Sequence, residues 1–181
     1  VCLAFRTAAG IDLDATIARD GSVDKDALAQ AVAQAGLRVA PDDTWSDLFS
    51  RIMVDRVEPA LARSGRATIL AEYPAHEAAL ARRTADDPRI AERFELYACG
   101  VELANGFGEL TDPIEQRRRF EAEMDEKERV YGERYPIDEE FLSALAVMPE
   151  ASGCALGFDR LVMLATGASH IEQVLWTPVS A

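Results

Sequence analysis

Two glutamates are spaced so that they could bind a metal ion together. Glu95 and Glu102 lie seven residues apart in a stretch of alternating apolar and polar residues, which predicts a β-hairpin that turns at Cys99-Gly100. A two-residue turn would place Tyr97 opposite Glu102 and Glu95 opposite Ala104, so both carboxylates would share one face. Two carboxylates on one face repel each other, and Mg²⁺ bound together with phosphate groups would relieve that repulsion. The alternative is a solvent-exposed sheet face on which paired glutamates bind nothing.

A possible binding pocket follows in the same strand. Asn105, Phe107 and Glu109 alternate with glycines, and they would supply an amide, an apolar wall and an anion for an ammonium ligand. Strict alternation places these three residues on the face opposite Glu102, so a common site requires a β-bulge between residues 104 and 106. The alternative is an irregular end of the hairpin.

A strand rich in glycine runs into a helix near the end of the chain. Gly153 and Gly157 flank an apolar run, and Arg160 follows in the first turn of the predicted helix. Glycines allow a planar ring to lie against the backbone, and a guanidinium at a helix N-terminus favours phosphate. The segment therefore fits a nucleotide, although it matches neither a Walker loop nor a dinucleotide fingerprint. We expect the apolar residues 161–164 to belong to the core.

Several function classes are excluded by composition. The 181 residues carry a net charge of −13, which argues against binding nucleic acid through the overall field. No uncharged stretch approaches the roughly 20 residues that span a bilayer, so no membrane association is expected. Three cysteines and two histidines predict neither a disulfide framework nor a histidine-rich metal site. We therefore expect a cytoplasmic protein in which any divalent metal is held by oxygen ligands.

Helices are predicted on both sides of the hairpin. The apolar spacing from Trp45 to Met53 predicts a core helix, and the residues 75–83 suggest a short helix after a strand at 67–73. Asp112 and Pro113 open a charged helix that runs to about Tyr131. Its thin apolar stripe indicates a solvated outer helix, to which we assign no catalytic role.

These residues together resemble the C-terminal part of the catalytic domain of class II aminoacyl-tRNA synthetases, specifically the lysyl group. The resemblance is carried by Glu95, Glu102, Asn105, Phe107, Glu109 and the segment 153–164 through Arg160. It is strongest to the short lysyl-synthetase paralogs that attach a lysine-type amino acid to a lysine of elongation factor P. Ala155 favours the paralogs, because they carry alanine where the synthetases usually carry glycine.

The resemblance implies an α+β fold in which helices flank an antiparallel β-sheet. It implies that residues 1–181 form the C-terminal part of one catalytic domain, with motif 3 at 153–164 and with motifs 1 and 2 absent. The motif-2 arginine that grips the α-phosphate would then be missing, so we expect this piece alone to be inactive.

The resemblance also assigns roles to the residues. ATP and Mg²⁺ are the implied cofactors, with Glu95 and Glu102 as metal ligands and Gly153 and Gly157 beside the nucleotide. Arg160 would hold the γ-phosphate, and with Glu102 it would form the catalytic pair. Substrate contacts would come from four residues: Asn105, Phe107, Glu109 and Ala155.

The implied reaction is the activation of lysine or a lysine-like amino acid as an aminoacyl-adenylate. Transfer to a lysine of elongation factor P would follow, with tRNA a less favoured acceptor and a homodimer implied for the intact enzyme. Two alternatives remain open. The chain could be a fragment of a true lysyl-tRNA synthetase, or a non-catalytic truncated paralog that binds a nucleotide, an amino acid or a partner protein.

Overall fold

The computed structural model describes residues 1–78 and 80–177 and shows an α+β fold. A single sheet of four antiparallel strands has the order β1-β2-β3-β4, as the resemblance implies. The strands are β1 (Thr68–Pro74), β2 (Ile90–Ala98), β3 (Val101–Gly108) and β4 (Ser152–Leu156). β1 and β4 are the two edges of the sheet, and β4 is exposed along its whole length.

Helices precede, interrupt and follow the sheet. They are α1 (Cys2–Ala9), α2 (Lys25–Gln34), α3 (Trp45–Ile52), α4 (Glu58–Arg63), α5 (Pro113–Tyr131), α6 (Glu139–Leu145) and α7 (Phe158–Thr166). A π-helical turn, Met53–Val57, joins α3 to α4. Short 3-10 turns occupy Leu13–Thr16, Ala75–Glu77 and Ile171–Gln173. Within the described residues, no helix is both long enough and apolar enough to cross a membrane.

The main core lies between the N-terminal helices and β1. A capping box of Thr44 and Asp47 starts α3, whose apolar spacing buries one face as predicted. Phe49 stacks on Phe5 at a centroid distance of 4.9 Å and lies 6.4 Å from the ring of Tyr73 in β1. Tyr73 therefore connects this core to the sheet.

The predicted hairpin is present, and its turn is the expected one. Cys99 and Gly100 both have positive φ, 51° and 78°, the backbone of a type I′ turn. Tyr97 lies opposite Glu102, as predicted. The pairing of Glu95 is different, however, because Glu95 lies opposite Asn105 instead of Ala104.

The cause of that difference is a β-bulge at Leu103. Leu96 pairs with Ala104 and Tyr97 with Glu102, so Leu103 is an extra residue in β3. The bulge that a common site requires therefore exists, but it lies one residue before the predicted range of 104–106. The extra residue reverses which residues of β3 point to each face of the sheet. Asn105 and Phe107, which follow it, therefore lie on the face of Glu102.

The prediction for the charged helix α5 is confirmed in its extent and largely in its exposure. Asp112 caps α5 by accepting from the backbone N–H groups of Ile114 and Glu115. Most of α5 is exposed or half-buried, as expected of an outer helix, and Ile114 is 80% exposed. The exception is the polar Gln116, which is fully buried.

Two further predictions need correction. Of the short helix expected at 75–83, only the 3-10 turn Ala75–Glu77 forms. The apolar residues 161–164 of α7, expected in the core, are exposed or half-buried.

Candidate active site

Two β-bulges gather the predicted site residues on one face of the sheet. The bulge at Leu103 places Asn105 and Phe107 on the face of Glu102, and a second irregularity lies in β1 between Ala71 and Tyr73. Ala71 pairs with Phe94 of β2, whereas Tyr73 pairs with Ala91, so the side chain of Tyr73 changes face.

Glu95 lies at the centre of this face, and its carboxylate is only 8% exposed. Its Oε2 accepts hydrogen bonds from the hydroxyl groups of Tyr73 at 2.5 Å and Tyr97 at 2.7 Å. Its Oε1 accepts from Nη2 of Arg93 at 2.6 Å and from Nδ2 of Asn105 at 3.4 Å. The alternative of a solvent-exposed sheet face therefore does not hold for Glu95, because four donors surround the carboxylate and compensate its burial.

The two tyrosines keep their protons in this arrangement. Burial, followed by the hydrogen bond to Glu95, raises the pKa of Tyr73 far above its usual range. The pKa of Tyr97 is raised for the same two reasons. Both hydroxyl groups are therefore permanent donors to Glu95 at any physiological pH.

An acidic cavity of about 220 Å³ opens between α3, the π-helical turn and the sheet. Four glutamates are among its lining residues, Glu58, Glu77, Glu95 and Glu102, together with Arg93. Burial and the nearby charges of Glu95 and Glu102 raise the pKa of Glu58. The cavity therefore concentrates negative charge, a field that attracts cations.

Glu102 and Arg160 lie together at the other side of this cavity. Nη1 of Arg160 donates to the backbone carbonyl of Glu102 at 2.9 Å and lies 3.5 Å from its Oε2. Gly157 makes this approach possible, since a Cβ there would lie 3.3 Å from Cδ of Arg160. Both charged side chains remain accessible, with Glu102 36% and Arg160 47% exposed. The structure thus places a cation and an accessible carboxylate side by side.

A second space, the front cavity, has a volume of about 240 Å³. Asn105 and Phe107 form part of its lining, which comprises Glu77, Ala78, Leu80, Ala81, Arg93, Asn105 and Phe107. The apolar side chains and one amide suit a ligand with an aliphatic portion and a polar end. Arg93 and Glu77 line both cavities, so the front cavity and the acidic cavity are neighbours.

Glu109 lies next to the front cavity without forming part of its lining. The backbone of Glu109 bridges to Ala81, and its Oε1 lies 2.8 Å from where a Cβ of Gly153 would be. Within the described part of the chain, the Glu109 carboxylate has no hydrogen bond or ion pair. Gly153 pairs with Phe107, and Ala155 pairs with Asn105, so both positions of β4 adjoin the pocket residues.

Comparison with known proteins shows the family of this chain. Residues 31–181 match the family model described as tRNA synthetases class II (D, K and N).

The chain belongs to this class II tRNA synthetase family.

Within the family, the chain is similar to two groups of curated ligases. It is 44% identical to the elongation factor P–(R)-β-lysine ligase of Proteus mirabilis over 87% of this chain and 49% of that protein. It is 39% identical to the lysine–tRNA ligase of Pelotomaculum thermopropionicum over 83% of this chain and 30% of that protein. The chain therefore spans about half the length of the first relative and about a third of the second.

The donor set of this class II domain fits Mg²⁺ bound together with a triphosphate. Mg²⁺ is usually held by one or two carboxylates plus phosphate oxygens and water, so a closed protein cage is not needed. Consistent with this, no three His, Cys, Asp or Glu side chains converge on a common point in residues 1–78 and 80–177. Glu102 has accessible oxygen atoms, whereas Glu95 could join only if its long bond from Asn105 gave way.

The sequence analysis of this class II domain missed three residues of the site. Arg93 lies 4.4 Å from the ring centroid of Tyr73 and donates to Glu95 and to the carbonyl oxygen of Glu77. Arg93 shares the face of Glu95, two residues away in an alternating strand, and that spacing was the signal available. Tyr73 and Glu58 gave no such signal. Tyr73 reaches the site because of the β-bulge that precedes it, and Glu58 reaches it because it follows the π-helical turn.

Proposed function

We propose that this domain is part of a ligase that activates lysine or a lysine-like amino acid with ATP. The observation that supports this most is the pair of neighbouring cavities, one small and largely apolar and one acidic, with Arg160 bound to Glu102 of the acidic cavity. The front cavity would hold the side chain of the amino acid, and the acidic cavity would border the phosphates. Residues 153–164 would serve as motif 3 of the class II domain.

Each pocket residue has a role that its chemistry supports. Phe107 would pack against the methylene groups of the substrate, and Asn105 would bond to its polar atoms. Glu109, which has no ionic partner in the described residues, would bind the side-chain ammonium. Ala155 would narrow the pocket from β4, because it pairs with Asn105.

The phosphate end of the site would be built around Glu102 and Arg160. Glu102 would hold Mg²⁺, with Glu95 as a second ligand, and the bound ion would neutralise phosphate charge and polarise the phosphoryl group. Arg160 would bind the γ-phosphate and orient the pyrophosphate as it leaves. The carboxylate of the amino acid attacks the α-phosphorus itself, so no nucleophilic side chain is required.

For the acceptor, we propose a lysine of elongation factor P. Three observations favour it: the higher identity to the elongation factor P ligase, Ala155, and the net charge of −13, which disfavours tRNA. Transfer to tRNA is the second candidate, supported by the lysine–tRNA ligases among the relatives. We further propose that the enzyme acts in the cytoplasm as a homodimer.

The test uses the full gene product, that is, the protein as its gene encodes it, which contains these 181 residues. It is mixed with labelled lysine or (R)-β-lysine, ATP and Mg²⁺, and with either elongation factor P or tRNA. We expect label on elongation factor P, dependent on ATP. Label on tRNA alone would support the second candidate, and label on neither acceptor, with no adenylate formed, would reject the ligase assignment.

A further inference from the structure

Helix α5 reaches the wall of the front cavity through Arg119. The Arg119 side chain is only 10% exposed, and its Nη1 donates to the carbonyl oxygens of Ala78 at 2.7 Å and Ala81 at 2.9 Å. Both of these alanines line the front cavity. One guanidinium nitrogen therefore fixes two points of one cavity wall.

Backbone hydrogen bonds and a second arginine also hold that wall. After the 3-10 turn Ala75–Glu77, the amide of Ala81 donates to Ala78, the amide of Arg82 donates to Gly108 and the amide of Leu110 donates to Leu80. On the sheet side, Arg93 donates to the carbonyl oxygen of Glu77. Two arginine side chains, one from the sheet and one from α5, thus bind backbone carbonyls of the same wall.

Arg119 is itself oriented by neighbours on α5. Nε of Arg119 donates to Oε1 of Glu115 at 3.0 Å, and the fully buried Gln116 lies one turn earlier on the helix. Hydrogen bonds from Arg118 and Arg119 lower the pKa of Glu115 to about 2, so Glu115 stays charged at neutral pH. The orientation of the guanidinium is therefore set before any ligand binds.

We infer that Arg119 is a positioning residue for the amino-acid pocket: it fixes the Ala78 and Ala81 wall and so sets the affinity for the amino acid without touching it. This inference rests on the proposed function, since it takes the front cavity as the place of the lysine side chain. It gives α5 a role in substrate recognition, where the sequence indicated only a solvated outer helix.

The test compares the Arg119→Met and Arg118→Gln variants of the full gene product. Both changes remove one positive charge and one partner of Glu115, but Arg118 is 61% exposed and makes no described contact with the wall. We expect Arg119→Met to weaken lysine binding, measured by calorimetry, by about tenfold. Affinity for ATP should stay within twofold, and Arg118→Gln should change neither value.

Amide hydrogen exchange supplies a readout that does not depend on the ligand. In Arg119→Met, the amides of Ala81 and Arg82 should exchange faster, while those of β2 keep their protection. Arg119→Lys, which keeps the charge and one donor group, should recover part of the lysine affinity and keeps the test valid if Arg119→Met unfolds. Equal lysine affinity in the parent and in folded Arg119 variants would overturn this inference alone. Failure of the parent to bind either lysine or (R)-β-lysine would overturn the proposed function and the role of Arg119 with it.

Discussion

The hydroxyl group of Tyr73 lies 2.5 Å from Oε2 of Glu95, 22 residues away in the chain. The same tyrosine ring packs 6.4 Å from Phe49 in the main core, so one side chain joins the core to the buried carboxylate. The position of Glu95 is thereby tied to the packing of the helical layer. Predictions for the site therefore separate into those that affect folding and those that affect ligand binding.

The first prediction concerns the stability that this bond provides. Tyr73→Phe removes a donor from a buried charged acceptor, so we expect a loss of about 2 kcal/mol in the free energy of unfolding. Urea denaturation measures this. The matched control is Tyr135→Phe, because Tyr135 is exposed and lies 3.4 Å from Glu133. Equal stability of the two variants would show that the Tyr73 bond is not formed.

The second prediction distinguishes Glu95 from Glu102, two of the glutamates that line the acidic cavity. Glu95→Gln replaces an acceptor of four hydrogen bonds with a group that accepts fewer, so its thermal unfolding temperature should fall. Glu102→Gln alters an accessible side chain, so it should unfold like the parent while losing most Mg²⁺-dependent ATP binding. Differential scanning calorimetry and ATP titration with and without Mg²⁺ check both statements. Unchanged ATP binding in Glu102→Gln would contradict the metal assignment.

The third prediction concerns Glu109. Because only the amino acid carries an ammonium group, Glu109→Gln should raise the KM for lysine by ~10-fold or more and leave the KM for ATP nearly unchanged. The measurement is the steady-state rate of adenylate formation by the full gene product. Similar increases in both KM values would show that Glu109 does not read the lysine side chain.

The fourth prediction uses the contact between β4 and Glu109. A Cβ on Gly153 would lie 2.8 Å from Oε1 of Glu109, so Gly153→Ala should displace that carboxylate. We expect weaker lysine binding in calorimetry with little change in unfolding temperature, since the displaced group is the end of a flexible side chain. Ala155→Gly, two residues along the strand, removes a methyl group and is the comparison. A larger loss of lysine affinity in Ala155→Gly than in Gly153→Ala would contradict this geometry.

The fifth prediction concerns pH. The pKa of Glu115 in the folded protein, about 2, is below its ordinary value of 4.5. The stabilisation by its ionised form is therefore complete above about pH 4.5 and is lost as the pH falls toward 2. In acid titrations followed by circular dichroism, the parent should lose stability more steeply over this interval than Glu115→Gln. Parallel curves would indicate that the Glu115 ion pairs do not contribute.

The fold class followed from the family resemblance. The hairpin turn and the pairing of Tyr97 with Glu102 could be predicted from the sequence, because a tight turn sets the register of the first pairs. Alternation also showed that a common site needs a β-bulge, but the structure has it at Leu103, one residue before the expected range of 104–106. The bulge nevertheless brings Asn105 and Phe107 to the face of Glu102.

Long-range partners were beyond the reach of the sequence for a different reason. Glu95 is buried in part because Tyr73 comes from another strand after a second β-bulge, which local spacing does not reveal. Arg93 and Tyr97, two residues away on the same strand, are the donors that alternation alone places on the face of Glu95. On α5, the burial of Arg119 depends on the backbone carbonyls of Ala78 and Ala81, which accept its hydrogen bonds and which the fold alone places.

The most direct test of the proposed function is the exchange of labelled pyrophosphate into ATP by the full gene product, with each amino acid supplied in turn. The account predicts exchange that requires Mg²⁺ and lysine or a lysine isomer, and that falls by ~100-fold or more in Glu102→Gln and in Arg160→Ala. Exchange stimulated by unrelated amino acids, or exchange that persists in both variants, would contradict it.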